Sequence, residues 1–279
     1  MFRGFYTVAS GMVAQQRRTE LLTNNMANAN TPGFKADQSV VRSFPDMLLS
    51  RIGSTNIPVQ KNLNLKTAKQ VGAVNTGVYL QETIPQFIQG QIRETELTTD
   101  LALVDGAMPA DPATGVAGAI FFRLENGEGQ ELYTRNGNLT LDADGYLVNP
   151  QGLYVLSETG ERIQLQNDNF SVTPDGRIMQ EDGEVARIGI SFANNPELLL
   201  KQDNGLFSTG ENGNLPSAYG EEGVTFSMQQ GFLEGSTVDP SKTMTELLTA
   251  YRAFEANQKI LQAYDRSMEK AVNEVGRVN

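Results

Sequence analysis

Apolar residues recur at helical spacing at both ends of the chain. Near the N-terminus Phe2, Phe5, Ala9 and Met12 follow steps of three and four. The register continues through Gln16, Thr19 and Thr23 to Met26, and Tyr6, Val13 and Leu22 widen the stripe. Its middle is polar, so this helix alone would be weak. At the other end Met244, Leu247, Tyr251, Phe254, Gln258, Leu261, Asp265, Met268, Val272 and Val275 alternate the same steps without a break. Asp239-Pro240 supplies an N-cap and a proline at the first helical position. Thr243 to Glu246 can serve as a capping box one turn later. The pattern reads as a heptad seam with Gln258 and Asp265 as polar positions, which in such seams set register or oligomer state. The same spacing also fits ordinary core-facing helices.

Between the ends the period changes. Residues 133–165 hold short runs rich in Leu, Tyr and Val, punctuated by Asn136-Gly137, Asp144-Gly145, Gln151-Gly152 and Thr159-Gly160. Asp175-Gly176 and Asp182-Gly183 continue the pattern, which predicts antiparallel hairpins or a meander. Residues 106–119 have no periodicity and read as a loop. Residues 50–71 are polar with scattered apolar positions and read as a linker or extended arm. The predicted fold class is therefore α+β. Long N- and C-terminal helices pair as a coiled-coil-like helical domain, into which an antiparallel β-rich domain is inserted. The boundaries fall at 1–72 with 228–279 for the terminal domain plus arm, and 73–227 for the β-rich middle.

The first helix ends in an unusual composition. The stretch NNMANANTPGFKA, residues 24–36, holds Asn24, Asn25, Asn28 and Asn30 ahead of a Pro-Gly pair. Asparagine is a poor helix former because its amide competes for nearby backbone groups. Thr31-Pro32-Gly33-Phe34 fits a type II turn, with Pro at the first central position and Gly supplying positive φ at the second. A helix end explains some of the asparagines. Amides that donate and accept at once also suit bonds to neighbouring backbones in an assembly.

Composition narrows the chemistry. The 279 residues contain no Cys, His or Trp. This removes disulfides, thiol nucleophiles, Ser-His-Asp and Cys-His arrangements, and zinc sites built on imidazole or thiolate. A Cys-free chain also suits passage between redox compartments. The net charge of −11 is uneven: residues 51–229 hold eleven basic and twenty-three acidic groups, while both ends are close to neutral. Near-neutral ends can pack against copies of themselves, and an acidic middle argues against nucleic acid and anionic membrane as partners. No run approaches the ~18 apolar residues of a membrane span. The start reads as mature structure rather than a cleaved leader, because Thr7, Ser10 and Gly11 interrupt its apolar stretch. Asp142 and Asp144 lack the further ligands of a calcium loop and read as a hairpin turn. A carboxylate-based hydrolase would have many acidic candidates in the middle and no distinguished pair.

QQRRTELLTNNMANANTPGFKA, residues 15–36, closely resembles the N-terminal signature of flagellar axial proteins of the hook and basal-body rod family. GFLEGSTVDPSKTMTELLTAYRAFEANQKILQAYDRSME, residues 231–269, is similar to that family's C-terminal signature, with Thr237 where an Asn is usual. TRNGNLTLDADGYLVNPQG, residues 134–152, resembles the segment after the family's first β stretch, and GAMPADPATGVAGAIFF before it looks like an insertion.

The resemblance implies a structural protein with no catalytic residue, cofactor or metal. It implies export by the flagellar type III apparatus without a cleaved leader, largely unfolded. The termini would be mobile in the monomer and pair on assembly, with many copies stacking helically into the hollow axial drive shaft. Length and layout favour a distal-type rod subunit over a hook subunit, which stays the alternative within the family. A carboxylate-based cell-wall hydrolase and a secreted β-rich adhesin are the readings from other classes. The implied partners are copies of itself, other rod and hook subunits, the export apparatus, the rod cap and the bushing rings, with no nucleic acid and no membrane insertion. The implied location is the basal body, outside the cytoplasmic membrane. The expected assembly residues are Phe2, Phe5, Met12, Asn24, Asn25, Met26, Asn28, Asn30, Pro32, Gly33 and Phe34 at the N-terminal end. At the C-terminal end they are Met244, Leu247, Tyr251, Phe254, Gln258, Leu261, Asp265 and Met268.

Overall fold

The computed structural model describes residues 2–57, 63–181, 183–210 and 213–275 and forms two units. The first comprises Met1–Asn24, Gln38–Thr83 and Ser241–Asn279, and the second Asn25–Asp37 and Ile84–Pro240.

The first unit draws on helix α1 (Phe2–Ala27), strands β1 (Asp37–Ser43), β2 (Met47–Ile57), β3 (Leu63–Val74) and β4 (Val78–Pro85), and helix α2 (Pro240–Lys270). β1 pairs with β4. β2 and β3 form one antiparallel ribbon, with Met47 opposite Val74 at its base and Ile57 opposite Leu63 near its tip. At ~3.4 Å per residue the ribbon is about 35 Å long. Of residues 50–71, read from sequence as a linker or extended arm, 50–57 and 63–71 lie in these strands and 58–62 are outside the described residues. Leu63 and Leu65 alternate with polar residues, and Ile52, Thr55 and Ile57 are β-branched, which favours strand.

The two helices touch in part and run antiparallel. A Cβ on Gly4 would run into the Tyr264 hydroxyl, and one on Gly11 would lie 3.4 Å from the Asn257 amide nitrogen. Arg18 reaches Glu246 at 3.5 Å. Along α2 the covered stripe is Thr243, Leu247, Ala250, Phe254, Asn257, Leu261, Tyr264 and Met268. Half of the heptad seam read from sequence is therefore shifted by one residue. Small Thr243 and Ala250 turn inward, while Met244 and Tyr251 stay 49% and 58% exposed.

The second unit holds β5 (Ile92–Glu94), β6 (Leu101–Asp105), β7 (Ala119–Glu125), β8 (Glu131–Thr134), β9 (Thr140–Leu141), β10 (Leu147–Val148) and β11 (Tyr154–Val155). It continues with β12 (Ser171–Val172), β13 (Arg177–Gln180), β14 (Gly183–Arg187), β15 (Ile190–Ala193), β16 (Leu200–Lys201), β17 (Leu206–Ser208), β18 (Phe226–Gln230) and β19 (Phe232–Glu234). An eight-stranded sheet runs β16-β17-β8-β7-β11-β10-β9, with β15 also on β7. β12, β13 and β14 form a second sheet, and β18 pairs β6 while β19 pairs β5. The ladders are antiparallel. β7 is buried on both faces. Ile120, Phe122 and Leu124 join one cluster with Leu101, Leu103 and Leu147, and Phe121 joins another with Tyr133 and Phe207. This alternation is the period of a strand with apolar layers on both sides.

The α+β class with a coiled-coil-like helical domain is thus corrected. With nineteen strands against two helices among the described residues, the chain is mostly β. The helix pairing is partial, and half of the seam positions read from sequence lie outside the covered stripe.

Candidate functional site

The first signature ends in a turn held within the second unit. The Phe34 N–H donates to the Thr31 carbonyl at 3.3 Å, and Gly33 has φ +69°. A Cβ on Gly33 would lie 2.5 Å from the backbone carbon of Arg135 and the nitrogen of Asn136, so a side chain is excluded by space as well as by φ. Before the turn, Asn25 is buried. Its Nδ2 donates to the Asp37 carbonyl at 2.8 Å, and its Oδ1 accepts from the Asp37 N–H at 3.0 Å. The side-chain amide mimics a strand partner and ties the helix end to the residue where β1 starts. Phe34 is buried under Lys201, whose Nζ lies 4.3 Å from the ring centroid and 2.7 Å from Asp37 Oδ2.

Beside this turn lies a buried ionic node. Arg135 Nε meets Glu234 Oε2 at 2.8 Å, and its two terminal nitrogens meet Asp105 at 2.8 and 3.1 Å. The same nitrogens donate to the Ile120 and Leu103 carbonyls at 3.0 and 3.5 Å, so all five guanidinium protons are used. Glu234 Oε1 accepts from Lys35 Nζ at 2.6 Å and from the Gly90 N–H at 2.7 Å. Lys35 also donates to the Ile88 carbonyl at 2.6 Å. Two cations and two carboxylates balance, as buried charge requires. Burial pushes the Glu234 carboxyl up, but the Arg135 and Lys35 charges outweigh it and hold it below its usual range. Burial, then the Arg135 charge, pull Lys35 below the usual lysine range against Glu234. Burial opposes the Arg135 charge, yet Glu234 and Asp105 raise its pKa further.

The three segments that carry the family resemblance meet here. Lys35 belongs to TPGFK, Arg135 to TRNG and Glu234 to FLEGS. Their backbones also touch: Gly33 N–H donates to the Glu234 carbonyl at 2.8 Å and Thr237 N–H to the Phe34 carbonyl at 3.1 Å. Thr237, at the position where the family usually has Asn, accepts from the Ala36 N–H through its hydroxyl at 2.8 Å. Sequence reasoning missed Lys35, Asp105, Arg135 and Glu234, and marked Thr237 only as a departure from the family's Asn. The available signal was one charge inside each of three apolar or turn-forming motifs.

The remaining expected residues fall as follows. Asn25, Gly33 and Phe34 come together in the turn, with Pro32 partly covered. Asn28 accepts from the Thr31 hydroxyl at 3.2 Å, and Asn24 and Asn30 are exposed. Phe5, Met12, Met26, Leu247, Phe254, Leu261 and Met268 are partly covered, whereas Met244, Tyr251, Gln258 and Asp265 are exposed. Phe2 lies in α1, but its side chain is outside the described residues. In the first unit α1 also borders an apolar groove of about 680 Å³, lined among others by Tyr6, Ala9, Val13, Phe44, Val78 and Leu80. Asp142 and Asp144 sit in a hairpin turn closed by the Gly145 N–H on the Asp142 carbonyl at 2.9 Å. Among the described residues no group of three or more acidic side chains is placed to hold a metal ion, and no helix is long and apolar enough to cross a membrane.

Comparison with known proteins agrees along the whole chain. Residues 5–35 match the family "Flagella basal body rod protein", residues 115–196 "Flagellar hook protein FlgE/F/G D1 domain", and residues 229–274 "Flagellar basal body rod FlgEFG protein C-terminal". The chain is 41% identical over 278 residues to the flagellar hook-basal body complex protein FlhO of Bacillus subtilis, covering 100% of both chains. It is 31% identical to the flagellar basal-body rod protein FlgG of the same organism, over 98% of this chain and 99% of that one. To FlgG of Borreliella burgdorferi it is 29% identical over 98% of each chain. With both terminal signatures and the middle matched, the chain belongs to the flagellar hook and basal-body rod protein family, whose members are structural subunits and not enzymes.

Proposed function

We propose that the chain is a distal-type rod subunit that polymerises helically, with copies of itself and other rod and hook subunits, into the axial shaft of the basal body. The segments that carry assembly lie within 1–72 and 228–279, with most of the β-rich unit in 73–227 between them. The observation that carries this reading is the apolar surface left open on the helical unit. Met244, Leu248, Tyr251 and Ile260 on α2 are each between 45% and 58% exposed, and the groove beside α1 is apolar. Burying one such side chain against a neighbour stabilises by about 1.5–3 kcal/mol, so a few per contact outweigh the ordering of the helices. The expected assembly residues Phe2, Phe5, Met12, Met26, Leu247, Phe254, Leu261 and Met268 belong to the same helices. Asn24, Asn28 and Asn30 would bond to neighbouring subunits where α1 ends. Export through the flagellar type III apparatus without a cleaved leader, and contact with rod cap and bushing rings, extend the reading and follow from the family alone.

Electron microscopy of the purified chain at rising concentration tests it. Tubes should form above a threshold. Met244→Ser with Tyr251→Ser should abolish them while leaving the monomer's melting temperature unchanged, because both side chains are exposed in the monomer. Tubes that form as readily with both substitutions would contradict the assignment of this surface.

A further inference from the structure

We infer that residues 226–237 form a latch that closes the β-rich unit last, so that its core and its docked N-terminal turn are completed only when the C-terminal signature arrives.

Four observations converge on this segment. β6, whose Leu101 and Leu103 are fully buried, pairs with β18 alone among the described residues, from Leu101 opposite Gln230 to Asp105 opposite Phe226. β5 likewise pairs with β19. Gln230 then ties β18 to two other segments: its Nε2 donates to the Thr98 and Phe170 carbonyls at 2.7 and 2.9 Å, and its Oε1 accepts from the Val172 N–H at 2.9 Å. Finally, Glu234 and Thr237 supply the partners of Gly33, Phe34, Lys35 and Ala36.

Sequence distance orders the ladders: β6 and β18 pair residues 121–129 apart, β7 and β15 residues 68–74 apart. Glu234 lies 99 residues beyond Arg135 and 199 beyond Lys35. Contacts between distant residues are made late because the loop must be closed first. Without Glu234, the site would hold two cations against Asp105 alone, and a buried charge without its partner is strongly destabilising. The node therefore penalises the closed form until residue 234 is present. The chain is synthesised from its N-terminus. Its β-rich unit consequently stays open while the segment before the latch is made. This follows from the fold of one subunit and does not depend on how subunits assemble.

Pulsed hydrogen exchange during refolding of the full chain tests the order, read by mass spectrometry of peptides. The amides of Ala119–Glu125 and Ile190–Ala193, which pair β7 with β15, should gain protection first. Those of Ala102, Val104, Ser227 and Gln229, which face each other across β6 and β18, and those of Gly33 and Ala36 should follow together in a slower phase. Protection of Ala102 and Val104 in the same phase as Ala119–Glu125 would overturn the latch. A full-length Gln230→Ala variant gives a second reading. Its unfolding should accelerate about tenfold with refolding changed less than twofold, as expected for contacts formed after the transition state. Refolding slowed in proportion to the lost stability would equally overturn the proposal.

Discussion

Replacing Gly33 by Ala probes the meeting of the terminal signatures with a single methyl group. At φ +69° an alanine pays about 1 kcal/mol for left-handed backbone. The methyl would also sit 2.5 Å from the Arg135–Asn136 peptide, so the turn must withdraw. Withdrawal breaks the 2.8 Å bond from the Gly33 N–H to the buried Glu234 segment, and a buried group left unpaired costs about 1–3 kcal/mol. The total is about 2–4 kcal/mol. Gly223 provides the control: its φ is +83°, but nothing lies within 4 Å of an added Cβ. Gly223→Ala should therefore cost only the conformational part, about 1 kcal/mol. Urea denaturation followed by circular dichroism compares the two variants with the parent chain. Gly33→Ala should lower the midpoint at least twice as far as Gly223→Ala. Equal shifts would show that the turn does not rest on the Arg135 backbone and would refute the packing argument.

The node should also shape the acid limb of stability. Glu234's carboxyl is held below the usual glutamate value of 4.5, so its contribution is present above that pH and is lost as pH falls through the lower value. Glu234→Gln should destabilise the chain by about 3–5 kcal/mol near neutral pH and flatten the melting-temperature curve below pH 4.5; an unchanged acid slope would argue against this role. Lys35 acts with the opposite charge. Its pKa is lowered, so on the alkaline side below 10.5 the unfolded chain holds more protons and stability rises with pH through that window. Thr237→Val should cost about 1 kcal/mol by removing the acceptor of the Ala36 N–H, and Thr237→Asn should recover most of it in thermal melts. Asn25→Ala should lower monomer stability by about 2 kcal/mol, since two part-buried bonds from its amide to the Asp37 backbone go. Asn24→Ala with Asn28→Ala should instead impair tube formation more than monomer melting.

What sequence made legible was local. The Thr31–Phe34 turn, the start of α2 at Pro240 and the hairpins at Asp144-Gly145 and Asp175-Gly176 depend on neighbours within a few residues, and pattern captures such features. The phase of the α2 stripe did not follow from hydrophobicity. Met244 and Tyr251 are larger than Thr243 and Ala250, but the smaller pair is the covered one, and size is invisible to a binary pattern. The ribbon at Met47–Val74 was obscured because its polar residues mimic a linker, while its cross-strand pairing lies outside any short window. The node was least legible. Lys35, Arg135 and Glu234 are far apart in sequence, and a charge inside a motif looks like surface until the fold buries it. In the asparagine cluster Asn25 is buried, while Asn24 and Asn30 are exposed at the same helix end.

Hydrogen exchange of the same full chain as monomer and as assembled tube tests the central claim, a subunit whose signatures close on a buried node while its helices keep apolar surface for neighbours. Amides of Gly33, Ala36 and Thr237 should be protected already in the monomer and change little on assembly, and those of α1 and α2 should gain protection in the tube. Rapid exchange at Gly33 and Thr237 in the monomer, or helices equally protected in both states, would contradict it.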